Sequence, residues 1–150
     1  MDNTAKMGKV LAINISETKG VPKTSIESGN FVEEHGLEGD AHAGKWHRQV
    51  SLLADESVDK MRALGAKGLC SGRFAENITT KGLNLWELPI GTRLKIGNSL
   101  HEVTQIGKEC HDGCAIKQQV GQCIMPTQGI FTRVIESGIA SVDDDIVIID

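Results

Sequence analysis

The fold is decided by residues 92–106, which read TRLKIGNSLHEVTQI. Two short apolar runs, Thr92 to Ile96 and Leu100 to Ile106, are separated by Gly97-Asn98, a dipeptide that favours a turn. Short apolar runs that are bounded by turn residues are typical of β-strands. This stretch therefore predicts two consecutive strands.

The same pattern extends outward in both directions along the chain. It predicts further strands or strand-like runs at Lys9 to Ile15, Thr24 to Ile26, Val32 to Gly39, Gln49 to Ala54, Phe74 to Thr79, Leu83 to Leu88, Gly129 to Ile135 and Ile146 to Ile149. Helices are few: Asp55 caps an amphipathic helix over Glu56 to Leu64, and Asp112 caps a short one over Gly113 to Val120. Many short strands with one or two short helices predict a mainly β fold, a barrel or a sandwich.

Composition sets the size and the kind of core. A chain of 150 residues favours a single domain, residues 1–150, whose first seven residues form a polar tail. The sequence has two Trp, three Phe and no Tyr, so the core must consist of Ile, Val and Leu. β-Branched side chains suit strands more than helices.

Charge and hydropathy exclude several classes of partner. The net charge of −4 and the lack of a basic run make nucleic acid an unfavourable partner. No apolar run approaches the ~20 residues of a membrane span, and the polar N-terminus lacks the apolar centre of a signal peptide. We therefore expect a cytoplasmic protein, in which the four cysteines are thiols, metal ligands or catalytic groups before they are disulfides.

Three of those cysteines, Cys110, Cys114 and Cys123, lie within fourteen residues that also contain His111. The predicted helix that begins after Asp112 would direct the positive end of its dipole at Cys110 and Cys114, which favours the thiolate. Nearby Glu109 and Asp112 oppose this effect. Three interpretations remain open: a tetrahedral zinc site, although the usual C-x2-C pair is absent; a nucleophile or sulfur carrier; and small buried hydrophobic residues.

A second polar segment, residues 39–48, reads GDAHAGKWHR and contains His42, Lys45, His47 and Arg48. Such a loop can bind a phosphate or another anion through cationic side chains and backbone N–H groups. The alternative is a solvated surface loop.

Two further polar residues interrupt apolar patterns. Asn77 lies in a polar insertion, where it either caps a turn or faces a pocket. Arg133 shares a strand face with Phe131 and Ile135, so it must either bind an anionic ligand or pair with a carboxylate.

Taken together, these motifs resemble the MOSC domain, the C-terminal module of molybdenum cofactor sulfurases that also occurs as a small stand-alone bacterial protein. The resemblance covers the chain from about Gly8 to its end. The matching stretches are GLEGDAH at 36–42, VSLL at 50–53, GRFAENIT at 72–79, LPIGTRLKIG at 88–97, EVTQ at 102–105 and GIFTRV at 129–134.

The resemblance implies a MOSC-like β-barrel of short, mostly antiparallel strands. It also implies a cysteine, soon after the Val-Thr-Gln strand, that carries persulfide sulfur or ligates molybdenum. By position this is Cys110, with Cys123 and Cys114 as further candidates. Glu109 stands where some stand-alone members have proline, and Asp143-Asp144 replaces a late Gly-Asp turn. The pocket residues implied for the pterin phosphate are His42, Lys45, Arg48, Asn77 and Arg133.

The function implied is handling of molybdenum cofactor (molybdopterin) or of sulfur. The partners expected are a cysteine desulfurase, as in pyridoxal phosphate-dependent sulfurases, or proteins of molybdenum cofactor biosynthesis. One alternative is a molybdenum-dependent reductase of N-oxygenated compounds, which would need a separate electron donor. Another is a non-catalytic module with a structural Cys/His zinc site.

Overall fold

The computed structural model of the protein describes residues 7–18, 23–63, 76–107 and 128–149. Its strands are β1 Met7–Ile15, β2 Thr24–Ile26, β3 Ser28–Val32, β4 Gly36–Leu37, β5 Val50–Ala54, β6 Ile78–Lys81, β7 Arg93–Ile96, β8 Ser99–Ile106, β9 Ile130–Glu136, β10 Gly138–Ser141 and β11 Asp145–Ile149. The described helical elements are α1, Asp55–Ala63, and a single 3-10 turn at Leu85–Glu87.

Seven of these strands close into a barrel. Their order is β11-β7-β8-β9-β5-β6-β1, and β1 pairs back onto β11 through Met7↔Val147 and Lys9↔Asp145. All of these pairs are antiparallel except β5 with β6. Strand β2 adds to the far end of β1, where Ile13 pairs with Ile26. The prediction of a mainly β barrel of short, mostly antiparallel strands is confirmed.

The barrel is filled by aliphatic side chains, because alternate residues of each strand point inward. On β7 the inward residues are Leu94 and Ile96, which are fully buried, while Arg93 and Lys95 face outward. A second sheet, of order β10-β3-β4, contributes Phe31, Leu37 and Ala140 to the same core. The two sheets thus share one hydrophobic interior.

Several elements differ from the sequence prediction. In place of a single run over Val32 to Gly39 the chain forms β3 at Ser28–Val32 and β4 at Gly36–Leu37, and β6 begins at Ile78, late in the predicted run Phe74 to Thr79. The run Leu83 to Leu88, predicted as a strand, turns at Leu85–Glu87 because backbone bonds close locally from Glu87 N to Asn84 O and from Leu88 N to Leu85 O. Strand β10 is not evident from the sequence, where Gly138 reads as a separator. It lies against the β7–β8 turn so closely that a Cβ on Gly138 would stand 2.2 Å from the Asn98 carbonyl oxygen. The predicted helix over Gly113 to Val120 lies outside the described residues.

Candidate functional site

The loop at residues 40–48, here called the cationic loop, joins β4 to β5 and is fixed to the barrel by its backbone. Ala41 N donates to Ser16 O at 2.8 Å, just past the end of β1. Gly44 N donates to His35 O at 2.6 Å, in the turn between β3 and β4. The loop that the sequence marks as polar and glycine-rich is therefore held in a defined position.

The first part of the loop is built on a buried ion pair. Asp40 Oδ1 accepts from Lys23 Nζ at 2.8 Å, and both side chains are fully buried. The same carboxylate accepts from the backbone N–H groups of Ser16 (3.1 Å) and His42 (3.0 Å). Burial acts to raise the pKa of Asp40, but the groups that donate to its carboxylate, among them Lys23 and these two N–H groups, outweigh it, so the pKa lies below its ordinary value.

His42 packs against this pair. Its Nδ1 lies 3.2 Å from Lys23 Nζ and 3.6 Å from Asp40 Oδ2, and 19% of its side chain is exposed. Its backbone carbonyl accepts from Trp46 Nε1 at 2.7 Å. Trp46 in turn contacts the His47 ring edge-on, at 5.9 Å between centroids. A continuous set of contacts therefore leads from the buried pair to the second part of the loop.

The second part of the loop meets strand β8. Gln105 Oε1 accepts from His47 Nε2 at 2.9 Å and from Arg48 Nε at 3.1 Å. The Arg48 guanidinium also lies 5.3 Å from the centre of the Phe131 ring. Within the described residues Arg48 forms no ion pair with a carboxylate, so its positive charge is not neutralised there.

Lys45 lies between these two parts and is exposed. Among the residues that the structure describes, it makes neither a hydrogen bond nor an ion pair. With Arg48 it gives the loop two positive charges that no described carboxylate balances. A surface of this kind attracts anions.

Arg133 differs from Arg48 because its charge is compensated. Its Nε donates to Glu102 Oε1 at 2.9 Å and its Nη1 donates to Glu34 Oε1 at 2.6 Å. The bond to Glu102 and, after it, the bond to Glu34 stabilise the charged guanidinium and raise the pKa of Arg133. Of the two roles open from the sequence, pairing with carboxylates is the one that these contacts display.

Asn77 is fully buried at the start of β6 and bonds to two other strands. Its Oδ1 accepts from Ser51 N at 3.0 Å and from Ser51 Oγ at 3.2 Å, and its Nδ2 donates to Asn14 O at 3.3 Å. These contacts join β5, β6 and β1 by side-chain bonds.

The structure therefore groups His42, Lys45 and Arg48 on one loop, while the described bonds of Asn77 and Arg133 go to other protein groups. The predicted Cys110, Cys114 and Cys123 lie outside the described residues. The sequence did not identify Lys23 or Gln105 as part of this region, and it placed Asp40 in the polar segment without assigning it a role. Lys23 precedes Asp40 by seventeen residues, and only the fold brings the two together. Within the described ranges, no group of three His, Cys, Asp or Glu side chains is placed to hold a metal ion.

These features define a class: a small closed β-barrel whose surface loop presents cations that are not paired with any carboxylate in the described part of the chain. The chain belongs to the MOSC domain family, whose sequence pattern matches residues 39–147. A search of curated proteins gave no match. In the described part of the chain, no helix has the length and apolar character needed to cross a membrane.

Solved structures share this fold. The YUAD protein from Bacillus subtilis superimposes with a TM-score of 0.75 at 19% identity, over 95% of each chain. YiiM from Geobacillus stearothermophilus gives 0.72 at 21% identity, over 96% of this chain and 75% of its own. YiiM from Escherichia coli superimposes with a TM-score of 0.65 at 20% identity, over 95% of this chain and 70% of its own. The likeness supports the barrel fold at these identities.

Proposed function

We propose that this MOSC domain handles an anionic sulfur- or molybdenum-bearing cofactor, and that the cationic loop binds the cofactor's phosphate. The observation that carries the proposal is the charge of the loop. Arg48 bonds to the neutral Gln105, and Lys45 bonds to no described group. A phosphate accepts several charge-assisted hydrogen bonds, and Arg and Lys are its usual partners.

The residues of the loop fit a cofactor of this kind. Arg48 and Lys45 supply the charge and the side-chain donors, and His42 lies at the other end of the loop. Asn77 and Arg133 stay predicted pocket residues with less support, because their described bonds are to protein groups. When bound, molybdenum cofactor would supply the metal and its sulfur ligands, and the chain would supply the cations and a thiolate.

The thiolate would come from the cysteine-bearing segment that follows Gly107 in the sequence. Gln105, which bonds to His47 and Arg48, also donates from Nε2 to Gly107 O at 2.8 Å. Cys110 follows Gly107 by three residues, a stretch that spans at most about 11 Å. This proximity in the chain supports Cys110 as the persulfide carrier or molybdenum ligand, with Cys123 and Cys114 as the other candidates.

As a sulfur carrier, the Cys110 thiolate would attack the outer sulfur of a persulfide on a cysteine desulfurase. The new S–S bond forms on Cys110 while the old one breaks, and the donor cysteine leaves as a thiolate, so electrons balance. The next acceptor would be a protein of molybdenum cofactor biosynthesis or the cofactor itself. A reactive thiol requires a reducing compartment, so we assign this function to the cytosol.

Sulfur transfer is tested by intact mass. After incubation with a cysteine desulfurase, pyridoxal phosphate and cysteine, we expect a mass increase of one sulfur atom that is reversed by a thiol reductant and absent in Cys110→Ala. If the mass increase persists in Cys110→Ala and is absent in Cys123→Ala, the sulfur-carrying residue is Cys123. Elemental analysis of the same preparation separates the alternatives, since stoichiometric zinc would indicate a structural metal module.

Anion binding is tested with two matched arginine variants. Inorganic phosphate is titrated into the protein and followed by amide chemical shifts. We expect Arg48→Ala to weaken phosphate binding by about tenfold, which corresponds to one charge-assisted hydrogen bond. We expect Arg62→Ala, which removes an arginine paired with Asp55 and Asp59 on α1, to leave it within about twofold. Equal losses in both variants would contradict the assignment of the loop as the binding surface.

A further inference from the structure

The two ring nitrogens of His42 have different surroundings. Nδ1 faces the protein, 3.2 Å from Lys23 Nζ and 3.6 Å from Asp40 Oδ2. Nε2 makes no hydrogen bond to any residue in the described ranges, and 19% of the side chain is exposed. The protein thus engages one nitrogen and leaves the other for a ligand or water.

Lys23 determines which nitrogen carries the ring proton. An ammonium group has three donors and no acceptor, so at 3.2 Å the Nδ1 atom must be the acceptor. A proton on Nδ1 would place two donors face to face. Asp40 Oδ2 offers a poorer partner for such a proton, since it is 3.6 Å away and already accepts from the His42 backbone N–H at 3.0 Å.

We propose that the buried Lys23 ammonium holds His42 as the Nε2–H tautomer, so that His42 presents a hydrogen-bond donor to an oxyanion. This inference rests on the proposed function, because the oxyanion is the phosphate or an equivalent anionic group bound at the cationic loop. In this tautomer neither nitrogen has a free lone pair, since Nδ1 accepts from Lys23 and Nε2 carries the proton. His42 is then an anion-binding residue and not a metal ligand.

Lys23 is a positioning residue in this scheme. Its ammonium joins Asp40, His42 and, at 3.5 Å, the Ser16 hydroxyl. The pair of Lys23 and Asp40 carries no net charge, so it orients the ring without repelling an anion. Lys23 also lies outside the residues that match the family, 39–147, so this orientation depends on a part of the chain outside that match.

The tautomer is read directly by NMR on the wild-type protein. Long-range proton–nitrogen correlations of the histidine rings distinguish a protonated from an unprotonated nitrogen, and His42→Gln identifies which signals belong to His42. We expect protonated Nε2 and unprotonated Nδ1 at pH 7.5. A protonated Nδ1 would overturn the inference while leaving anion binding by Arg48 and Lys45 intact.

The role of Lys23 is tested with Lys23→Met. Without the ammonium, the His42 proton should move to Nδ1 and bond to the Asp40 carboxylate, which the same spectrum detects. The control is Lys9→Met, because Lys9 pairs with Asp145 at the surface, where its side chain is 60% exposed. An unchanged His42 tautomer in a folded Lys23→Met protein would refute the role of Lys23. Should the variant not fold, the wild-type spectrum still decides the tautomer.

Phosphate titration separates the donor role from the proposed function itself. The amide of His42→Gln can place an N–H near the position of Nε2, whereas His42→Phe cannot. We expect His42→Gln to bind phosphate within about threefold of the wild type and His42→Phe to bind about tenfold more weakly, the cost of one hydrogen bond to a charged group. Equal weakening in both would refute the donor role. Failure of phosphate to bind the wild type at all would refute the proposed function, even with the Nε2–H tautomer observed.

Discussion

At the scale of single residues, the balance of charge around each group distinguishes a structural residue from a candidate ligand-binding one. Arg48 and Arg133 are the same residue type and both lie next to polar partners. Arg133 bonds to two carboxylates, whereas Arg48 bonds to the amide oxygen of Gln105. Among the described residues, the arginine that is not paired with a carboxylate therefore lies on the loop and not on β9.

His101 is a residue whose protonation state is set by its buried surroundings. It is fully buried inside the barrel, with Nε2 2.9 Å from Ser99 Oγ and Nδ1 3.0 Å from Thr132 Oγ1. The Ser99 hydroxyl donates to Ile96 O, so it accepts from the Nε2–H of His101. Burial lowers the pKa of His101 from 6.5 to about 3.

This shift predicts a loss of stability in mild acid. Above pH 6.5 His101 is neutral in both states and contributes no pH dependence. As the pH falls below 6.5 only the unfolded chain gains the proton, so the free energy of unfolding should decrease by about 2 kcal/mol at pH 5 from this residue alone. Urea unfolding between pH 7.5 and pH 5 measures the effect.

The control is His101→Gln, which cannot titrate. The free energy of unfolding of this variant should be lower than that of the wild type at pH 7.5, but it should change less between pH 7.5 and pH 5. An equally steep decrease in both proteins would assign the acid sensitivity to other groups. Asp40 contributes little to the change in stability between pH 7.5 and pH 5. Its pKa is lowered in the folded protein, so the stability that it provides is lost only as the pH falls through and below the ordinary aspartate range.

At the scale of elements, the hairpin that decides the fold depends on its turn. Gly97 has a φ of +57°, and a Cβ there would lie 2.5 Å from Asp144 Oδ2 and 2.8 Å from Ala140 Cα. The turn therefore needs glycine both for its backbone conformation and for its packing against the segment from β10 to β11. The sequence signal Gly97-Asn98 reports only the first of these needs.

We expect Gly97→Ala to destabilise the protein by about 3 kcal/mol, as strain in the left-handed region combines with the overpacking of a filled site. Gly91→Ala is the matched control, since Gly91 has a φ of +97° but no atom would lie within 4 Å of a Cβ added there. Gly91→Ala should cost about 1 kcal/mol. Thermal unfolding of the two variants isolates the packing contribution, and equal losses would show that backbone strain alone matters.

At the scale of the whole molecule, the barrel is held together by more than its strand ladders. Asn77 links β6 to β5 through Ser51 and to β1 through Asn14. Asn14 Nδ2 donates further to Thr79 Oγ1 at 3.1 Å, and Thr79 Oγ1 donates to Glu76 Oε2 at 2.8 Å. This buried polar network occupies the place where β1, β5 and β6 meet.

Asn77→Ala should therefore lower the free energy of unfolding by about 3 kcal/mol, because it removes buried side-chain hydrogen bonds to Ser51 and Asn14 on two other strands. Asn84→Ala is the control, since Asn84 is exposed and its amide makes a single long bond of 3.4 Å to Glu87; it should change stability by less than about 0.5 kcal/mol. Chemical denaturation gives both values. A stable Asn77→Ala protein that has lost phosphate binding would instead support a role for Asn77 in the pocket.

Much of the architecture could be predicted from local patterns, because β-strands and turns are encoded over a few residues. The limits of β2 and β5 agree with the predicted runs to within one residue, as does the helix after Asp55. Local patterns failed where packing decided the outcome. Leu83 and Leu85 are buried in a turn, and β10 forms because β3 offers it an edge.

The candidate site could be predicted only in part for the same reason. The composition of the cationic loop identified His42, Lys45 and Arg48 as candidates, since their chemistry is visible in the residue types. Whether a cation is balanced by a carboxylate depends on residues far away in the chain. Arg133 meets Glu34 across 99 positions, and Lys23 meets Asp40 across 17.

The sequence by itself determined a mainly β chain with an aliphatic core, a polar loop rich in cations and a cysteine-bearing segment, because these properties depend on residue type and spacing. Only the tertiary structure decided which arginine keeps its charge available, which nitrogen of His42 the protein occupies, and that Asn77 bridges strands. These outcomes depend on contacts between distant residues, and barrel closure creates such contacts without leaving any local signal in the sequence.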